Sequence, residues 1–219
     1  YVPFNKNNKK HIKIKKEIDE FFSQLFPNIE LRNYMWQHLA STLWGKNLNQ
    51  TFNMYIGCGR NGKSKLVELM TYMLGEYKGT IPISLVTQKR NGIGGTSSEV
   101  ANLIGVRYAV MQEPSKGDHL NEGIMKEITG GDPIQCRQLF RESQVFYPQF
   151  TVVVCTNTLF EINSQDDGTW RRLRLAEFSS KFTYNPNTSD NPNNNDRYPL
   201  DNYPYQYEID VDLDDKFGD

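Results

Sequence analysis

The run Gly57-Cys58-Gly59-Arg60-Asn61-Gly62-Lys63-Ser64 leaves this sequence few folds to choose from. It fits G-x-x-x-x-G-K-[ST], a pattern that works only where a strand delivers the loop and a helix leads away from it. Both flanks meet that requirement. Phe52, Met54 and Ile56 alternate before Gly57, which predicts a strand; Leu66, Val67, Leu69, Met70, Met73 and Leu74 make a helical stripe that Gly75 closes. Glycines let such a loop wrap closely around a polyphosphate, with backbone N–H groups and the helix start facing the negative oxygens. The eight residues from Gly57 to Ser64 are therefore candidate nucleotide-binding residues. Lys63 is the point charge for the β and γ phosphates, and Ser64 is the hydroxyl ligand for Mg²⁺.

Phosphate binding by itself suits an ATPase motor, a GTPase switch or a small-molecule kinase, so the other motifs must narrow the choice. Residues 106–111 and 150–155 are apolar runs that read as buried strands, and strands separated by helical patterns imply an α/β sheet covered on both faces. Ligands of such a sheet collect at the C-terminal ends of its strands. The first of these strands delivers Gln112-Glu113, which makes Glu113 a candidate for orienting water and assisting a metal. Most such sites carry two adjacent acids, so Gln112 leaves the metal coordination open. The second strand ends in Thr156-Asn157, whose amide is a candidate to hold an attacking water or touch a γ-phosphate. Finally, Trp170-Arg171-Arg172-Leu173-Arg174-Leu175 sets several guanidiniums beside a last strand, as charge neutralisation of phosphate requires.

Before residue 50, Ile18, Phe21, Phe22, Leu25 and Phe26 recur at helical spacing, and Leu31, Tyr34, Met35, His38, Leu39 and Leu43 do so after Pro27. Between Asn185 and Asn195 the chain becomes Asn- and Pro-rich and reads as a linker, followed by an acidic end. The expected organisation is a basic lead-in and helical subdomain over 1–48, a P-loop ATPase core over 49–183, and a linker with an acidic tail over 184–219. With 25 basic and 26 acidic residues the net charge is −1, which excludes nucleic-acid binding through bulk charge and makes any DNA site local. Cys58, Cys136 and Cys155 form no C-x-x-C pair, which argues for a reducing compartment, and His11, His38 and His119 lack metal-ligand spacing, so no structural zinc is expected. No apolar run reaches the roughly 20 residues of a membrane-spanning helix. The start at Tyr1, with no charged-then-apolar leader, reads as a piece of a longer polypeptide without a secretory signal.

Taken in order, the phosphate loop, the lone acid after a strand, a Gly-Gly-Asp segment, the strand ending in asparagine and Trp-Arg-Arg resemble superfamily 3 helicases. More narrowly, they resemble the poxvirus-type primase-helicases of large DNA viruses, bacteriophages and plasmids. The phrases that carry the likeness are Gly59-Arg60-Asn61-Gly62-Lys63-Ser64, Ile128-Thr129-Gly130-Gly131-Asp132-Pro133-Ile134, Cys155-Thr156-Asn157 and Asp167-Gly168-Thr169-Trp170-Arg171-Arg172, within a span of roughly residues 18 to 180. The resemblance implies an α/β, AAA+-like P-loop NTPase core preceded by a small helical subdomain. It also implies a ring, commonly a hexamer, with ATP and Mg²⁺ at the seams between copies.

Residue by residue, Lys63 and Ser64 match that family's phosphate and magnesium ligands, Glu113 its second-strand acid and Asn157 its sensor asparagine. Arg171 matches the finger that reaches the neighbouring copy, with Arg172 as its close competitor. The family also has a DNA-gripping hairpin between Asp132 and Gln149. Alternation of Ile134 and Cys136 with Val145 and Tyr147 supports its two strands, leaving Arg137, Phe140 and Arg141 near the tip, and Lys126 is a further DNA-binding candidate. The implied partners are single-stranded DNA, further copies of the chain and a primase domain outside these residues, in an intracellular viral replication compartment rather than a secreted setting. The resulting expectation is an ATP-dependent DNA helicase of viral or phage replication, moving three-prime to five-prime. A P-loop kinase and a non-motor, ATP-binding DNA platform stand as alternatives.

Overall fold

In the computed structural model, which describes residues 3–88 and 97–217, two capped helices come first. α1 (Lys9–Leu25) starts where the Asn8 side chain accepts from Lys10 N, and α2 (Ile29–Ser41) where Asn28 accepts from the amides of Glu30 and Leu31. After β1 (Phe52–Ile56) comes α3 (Lys63–Leu74), ended by Gly75 at φ 54°. Next come β2 (Lys78–Ile81), α4 (Ser84–Thr87), α5 (Ser98–Ala101), β3 (Tyr108–Gln112) and α6 (Glu122–Thr129), the last capped by Asn121. The chain closes with β4 (Ile134–Arg137), β5 (Ser143–Phe146), β6 (Thr151–Thr156), α7 (Asp167–Trp170), β7 (Leu173–Glu177), β8 (Lys181–Thr183), β9 (Gln206–Glu208) and α8 (Leu213–Phe217).

Five strands form one parallel sheet in the order β2-β3-β6-β1-β7. Its two faces carry two cores, which is why β3 and β6 are apolar on both sides rather than alternating. Phe52, Met54, Met111 and Val154 point to the face covered by α6 through Ile124, Met125 and Ile128. Tyr55, Tyr108, Val110 and Val153 point to the other, covered by Phe22, Leu25 and Phe26, by Met35 and Leu39 of α2, and by Leu66 and Met70 of α3. The predicted helical region is thus present as α1 and α2, but its apolar stripe is buried against the sheet and not in a core of its own. Strand β2 escaped the sequence reading because Lys-Gly-Thr-Ile is neither an apolar run nor an alternating one.

His38 of α2 is buried with a ring nitrogen 2.8 Å from the Tyr55 hydroxyl, and burial holds its pKa down to about 4. Above pH 6.5 the ring is neutral folded or unfolded. As the pH falls from 6.5 toward 4 only the unfolded chain takes the proton, so stability should drop by up to roughly 3 kcal/mol across that window. Urea midpoints at pH 7 and 4.5 check this: His38→Gln should lose that part of the difference, and an unchanged difference would refute it.

The carboxy-terminal segment differs from the linker and acidic tail that its composition predicts. β8 pairs in parallel with β9, setting Lys181 opposite Gln206. Asn187 is buried: its Nδ2 donates to the carbonyls of Asn195 and Tyr198 at 2.8 Å each, and its Oδ1 accepts from Asn195 N at 2.7 Å. Phe217 of α8 sets its ring against Phe21 and Tyr72, and Asp214 pairs with Lys65. An Asn-rich stretch lacks apolar groups for a core, yet its amides can satisfy loop backbone directly, and that pairing is invisible to composition.

Candidate functional site

The C-terminal ends of β3, β6 and β1 lie side by side, because Gln112 registers with Cys155 and Ile56 with Thr156. Each end delivers one predicted residue to the same edge. The loop after β1 turns sharply through Gly59, Arg60 and Gly62, all at positive φ. At Gly62 (φ 81°) a Cβ would also collide with Leu25 Cδ2, so only glycine lets the loop sit on the end of α1. Cys58, Gly59, Arg60 and Ser64 are exposed, whereas Asn61 and Lys63 are buried. Asn61 Oδ1 accepts from Lys63 N at 3.4 Å, while its buried Nδ2 has no partner among the described residues.

Lys63 Nζ donates to the carbonyls of Gly57 and, at 2.9 Å, Thr156, and to Asn157 Oδ1 at 2.9 Å. The other end of that amide donates to Glu113 Oε1 at 3.1 Å. Lys63, Asn157 and Glu113 therefore form one hydrogen-bonded chain across three strand ends. Burial lowers the Lys63 pKa; Cys155, Glu113 and Cys58 oppose the shift, and the charge of Lys181 adds to it. Glu113 is itself held at φ 25°, a conformation rare for a side-chain-bearing residue, with its amide donating to Cys155 O.

Arg171 and Arg172 lie elsewhere. β7 runs parallel to β1 with Leu173 opposite Phe52, so both arginines sit at the edge where the strands begin. A five-residue strand spans about 13 Å, and the loop over residues 57–64 lies beyond its far end. Neither guanidinium is brought to the Lys63 site of its own chain. The two are not alike: Arg171 is exposed and donates to Gln50 Oε1 at 2.6 Å, whereas half-buried Arg172 donates to Gly168 O at 2.7 Å and to the same Gln50 oxygen at 3.2 Å. Burial, then the nearby Arg171 charge, depress the Arg172 pKa.

The hairpin forms from β4 and β5, with Arg137 opposite Ser143. Phe140 stands at its tip, 95% exposed at φ 60°, and Arg137 Nε donates to Arg141 O across the turn. Both expected strands are present, and the register sets their faces: Phe146 faces inward opposite Ile134, and Val145 and Tyr147 are exposed. Strand pairing shifted by one residue exchanges the two faces, and alternation alone cannot tell which residues of a short strand turn inward. Lys126 is not part of the hairpin. Its amine is bidentate on Asp166, at 2.8 and 2.9 Å, on the turn that carries the two arginines. Lys126, then Ser164, hold the Asp166 carboxyl well below the usual range.

A protein-family model described as a family of unknown function (DUF5906) matches residues 55–172, more than half of the chain. The chain belongs to the DUF5906 family. This DUF5906 chain is 41% identical over 167 residues to "Putative helicase L207/L206" of Acanthamoeba polyphaga mimivirus, covering 76% of the chain and 17% of that protein. It is 28% identical over 218 residues to "Putative primase C962R" of African swine fever virus (strain Badajoz 1971 Vero-adapted), covering 99% of the chain and 22% of that protein. The chain thus spans about a fifth of the length of these viral relatives. Its fold is that of the NrS-1 C-terminal region, with a TM-score of 0.58 at 13% identity over 94% of this chain and 42% of that one.

One residue at the loop went unread in the sequence. Lys181, from β8, is buried and its amine donates to the carbonyls of Cys58 and, at 2.8 Å, Gly59. No motif marks it; a lysine between Ser180 and Phe182 in a short strand was the sole signal. Among the described residues no group of His, Cys, Asp and Glu is large enough to hold a metal without other ligands, and no helix is long and apolar enough to cross a membrane.

Proposed function

We propose that this DUF5906 chain is the ATP-hydrolysing motor of a viral or phage replicative DNA helicase, working as a ring on single-stranded DNA. The observation that carries the reading is the Lys63–Asn157–Glu113 chain at one sheet edge with an arginine pair at the other. A group that helps hydrolysis from the far edge serves a neighbour's nucleotide, which fits a ring and not a monomeric kinase closing Arg171 and Arg172 over its own phosphates.

Residues 57–64 bind the triphosphate through their amides. The fit is supported by the orphaned, buried Asn61 Nδ2 in that loop and by the exposed Ser64 at the start of α3. Mg²⁺, held by Ser64 and Glu113, would neutralise charge on the β and γ oxygens when bound. Lys63 exchanges its protein acceptors for phosphate oxygens, which releases Asn157 Oδ1 to orient water beside the Glu113 carboxylate. Gln112 contributes an amide where a second acid is common, so Glu113 alone carries the carboxylate role. The viral relatives' names and their greater length support a link to a primase domain elsewhere in the polypeptide.

The DNA contact falls to the hairpin, where exposed Phe140 offers a ring for base stacking beside Arg137 and Arg141. Single-stranded DNA should stimulate the ATPase of the full-length protein, and a forked duplex should be unwound. Phe140→Ala should weaken binding to a fluorescent oligonucleotide by about 1–3 kcal/mol and lower the stimulation in step. An ATPase indifferent to DNA would sink the motor reading, and stimulation without strand displacement would leave the ATP-binding platform in its place.

A further inference from the structure

Lys181 is 6% exposed, and its partners among the described residues are two loop carbonyls and the ring faces of Tyr198 and Tyr203, at 5.4 and 5.1 Å. None of these is a carboxylate. An ammonium buried without an anion is unfavourable unless an anion arrives, and it lies against the loop where a polyphosphate would. The surroundings are built to keep it there. Its backbone N–H donates to Tyr205 O, and Gln206, opposite in the strand pair, ties the carbonyls of Tyr198 and Tyr203 and accepts from Asn187 N.

We propose that Lys181 is a positioning residue for nucleotide binding. It holds the Cys58 and Gly59 carbonyls away from the ligand so that the loop amides face inward, and it adds a second positive charge behind the loop that favours a nucleoside di- or triphosphate. The segment from Asn187 to Gln206 is then the clamp that holds this cation in place. This inference rests on the nucleotide-binding reading of residues 57–64.

The test is Mg·ATP hydrolysis by the full-length protein carrying Lys181→Gln, which keeps donors but not the charge, or Lys181→Arg, which keeps both. Removing this charge from behind the loop should raise KM for ATP about tenfold in the Gln variant while kcat stays within about twofold; the Arg variant should stay within about threefold of the parent. Rescue by Lys181→Arg, together with a rise in KM at nearly constant kcat, is what a purely structural role would not produce. Parental KM in Lys181→Gln, or equal damage in both variants, overturns the proposal. Should Lys181→Gln not fold, Tyr203→Leu carries the test, with at least a threefold rise in KM expected and an unchanged KM counting against the clamp. Lys63→Ala in the same assay separates the two layers: full turnover there removes the nucleotide site itself, whereas loss of turnover there with normal KM in Lys181→Gln removes this inference alone.

Discussion

Lys63→Ala is expected to cut Mg·ATP turnover by about 10²- to 10³-fold while leaving the fold in place, because in the proposed mechanism it removes the preorganised cation that faces the transferring phosphoryl group. The size follows from where the amine sits. It is buried at the meeting point of three strand ends and is held by the Gly57 and Thr156 carbonyls and by Asn157. No reorganisation is needed to aim it, so its loss falls on the transition state. The stability cost should be modest, about 1–3 kcal/mol, since the Gly57 and buried Thr156 carbonyls lose a donor while Asn157 keeps its bond to Glu113. Turnover at saturating ATP together with a melting curve decides the matter. A variant that keeps a third or more of parental turnover would remove Lys63 from the site.

The same geometry explains why this edge of the molecule was legible in the sequence. A phosphate loop needs a strand before it and a helix after it, and both flanking patterns were strong: alternating apolar residues into Gly57, and a stripe from Leu66 to Leu74. Two further apolar runs ended in Glu113 and Asn157, and a parallel sheet brings such ends together whatever the strand order. The order itself, with β6 between β1 and β3, was not legible, because parallel pairing leaves no local sequence signature and β2 has too little apolar character to be seen.

Much of what escaped notice is held by polar contacts, which leave no apolar pattern in the sequence. Lys181 reaches the loop from 122 positions away, and Asn187 folds its segment through side chain–backbone bonds that composition scores as linker. The bond from Lys126, a DNA-binding candidate in the sequence, to Asp166, 40 residues on, was likewise not legible. In the hairpin the strands were visible but the inward face of β5 was not, since Val145, Phe146 and Tyr147 are all apolar enough to face either way until Ile134 selects its partner.

Arg171→Ala should lower ATP turnover by about 10³- to 10⁵-fold with nucleotide affinity little changed, the effect expected of a finger that acts only in the transition state of an adjoining site. Arg172→Ala should behave differently. Arg172 is half-buried and pinned to Gly168 O and Gln50 of its own chain, so its loss should loosen the turn after α7 and lower the melting temperature; exposed Arg171 has one such tie. The trans assignment is checked by mixing. Neither Lys63→Ala nor Arg171→Ala has a competent seam alone, but a random equal mixture should create intact seams at roughly a quarter of the interfaces, each pairing Lys63 from one copy with Arg171 from the next. Turnover should then rise well above that of either variant, up to about a quarter of the parental value if seams fire independently, and should fall off at unequal ratios. If both variants are inactive and no ratio restores turnover although the copies co-assemble, the finger is not supplied by a neighbour. Recovery with Arg172→Ala in place of Arg171→Ala, and none with Arg171→Ala, would move the role to Arg172.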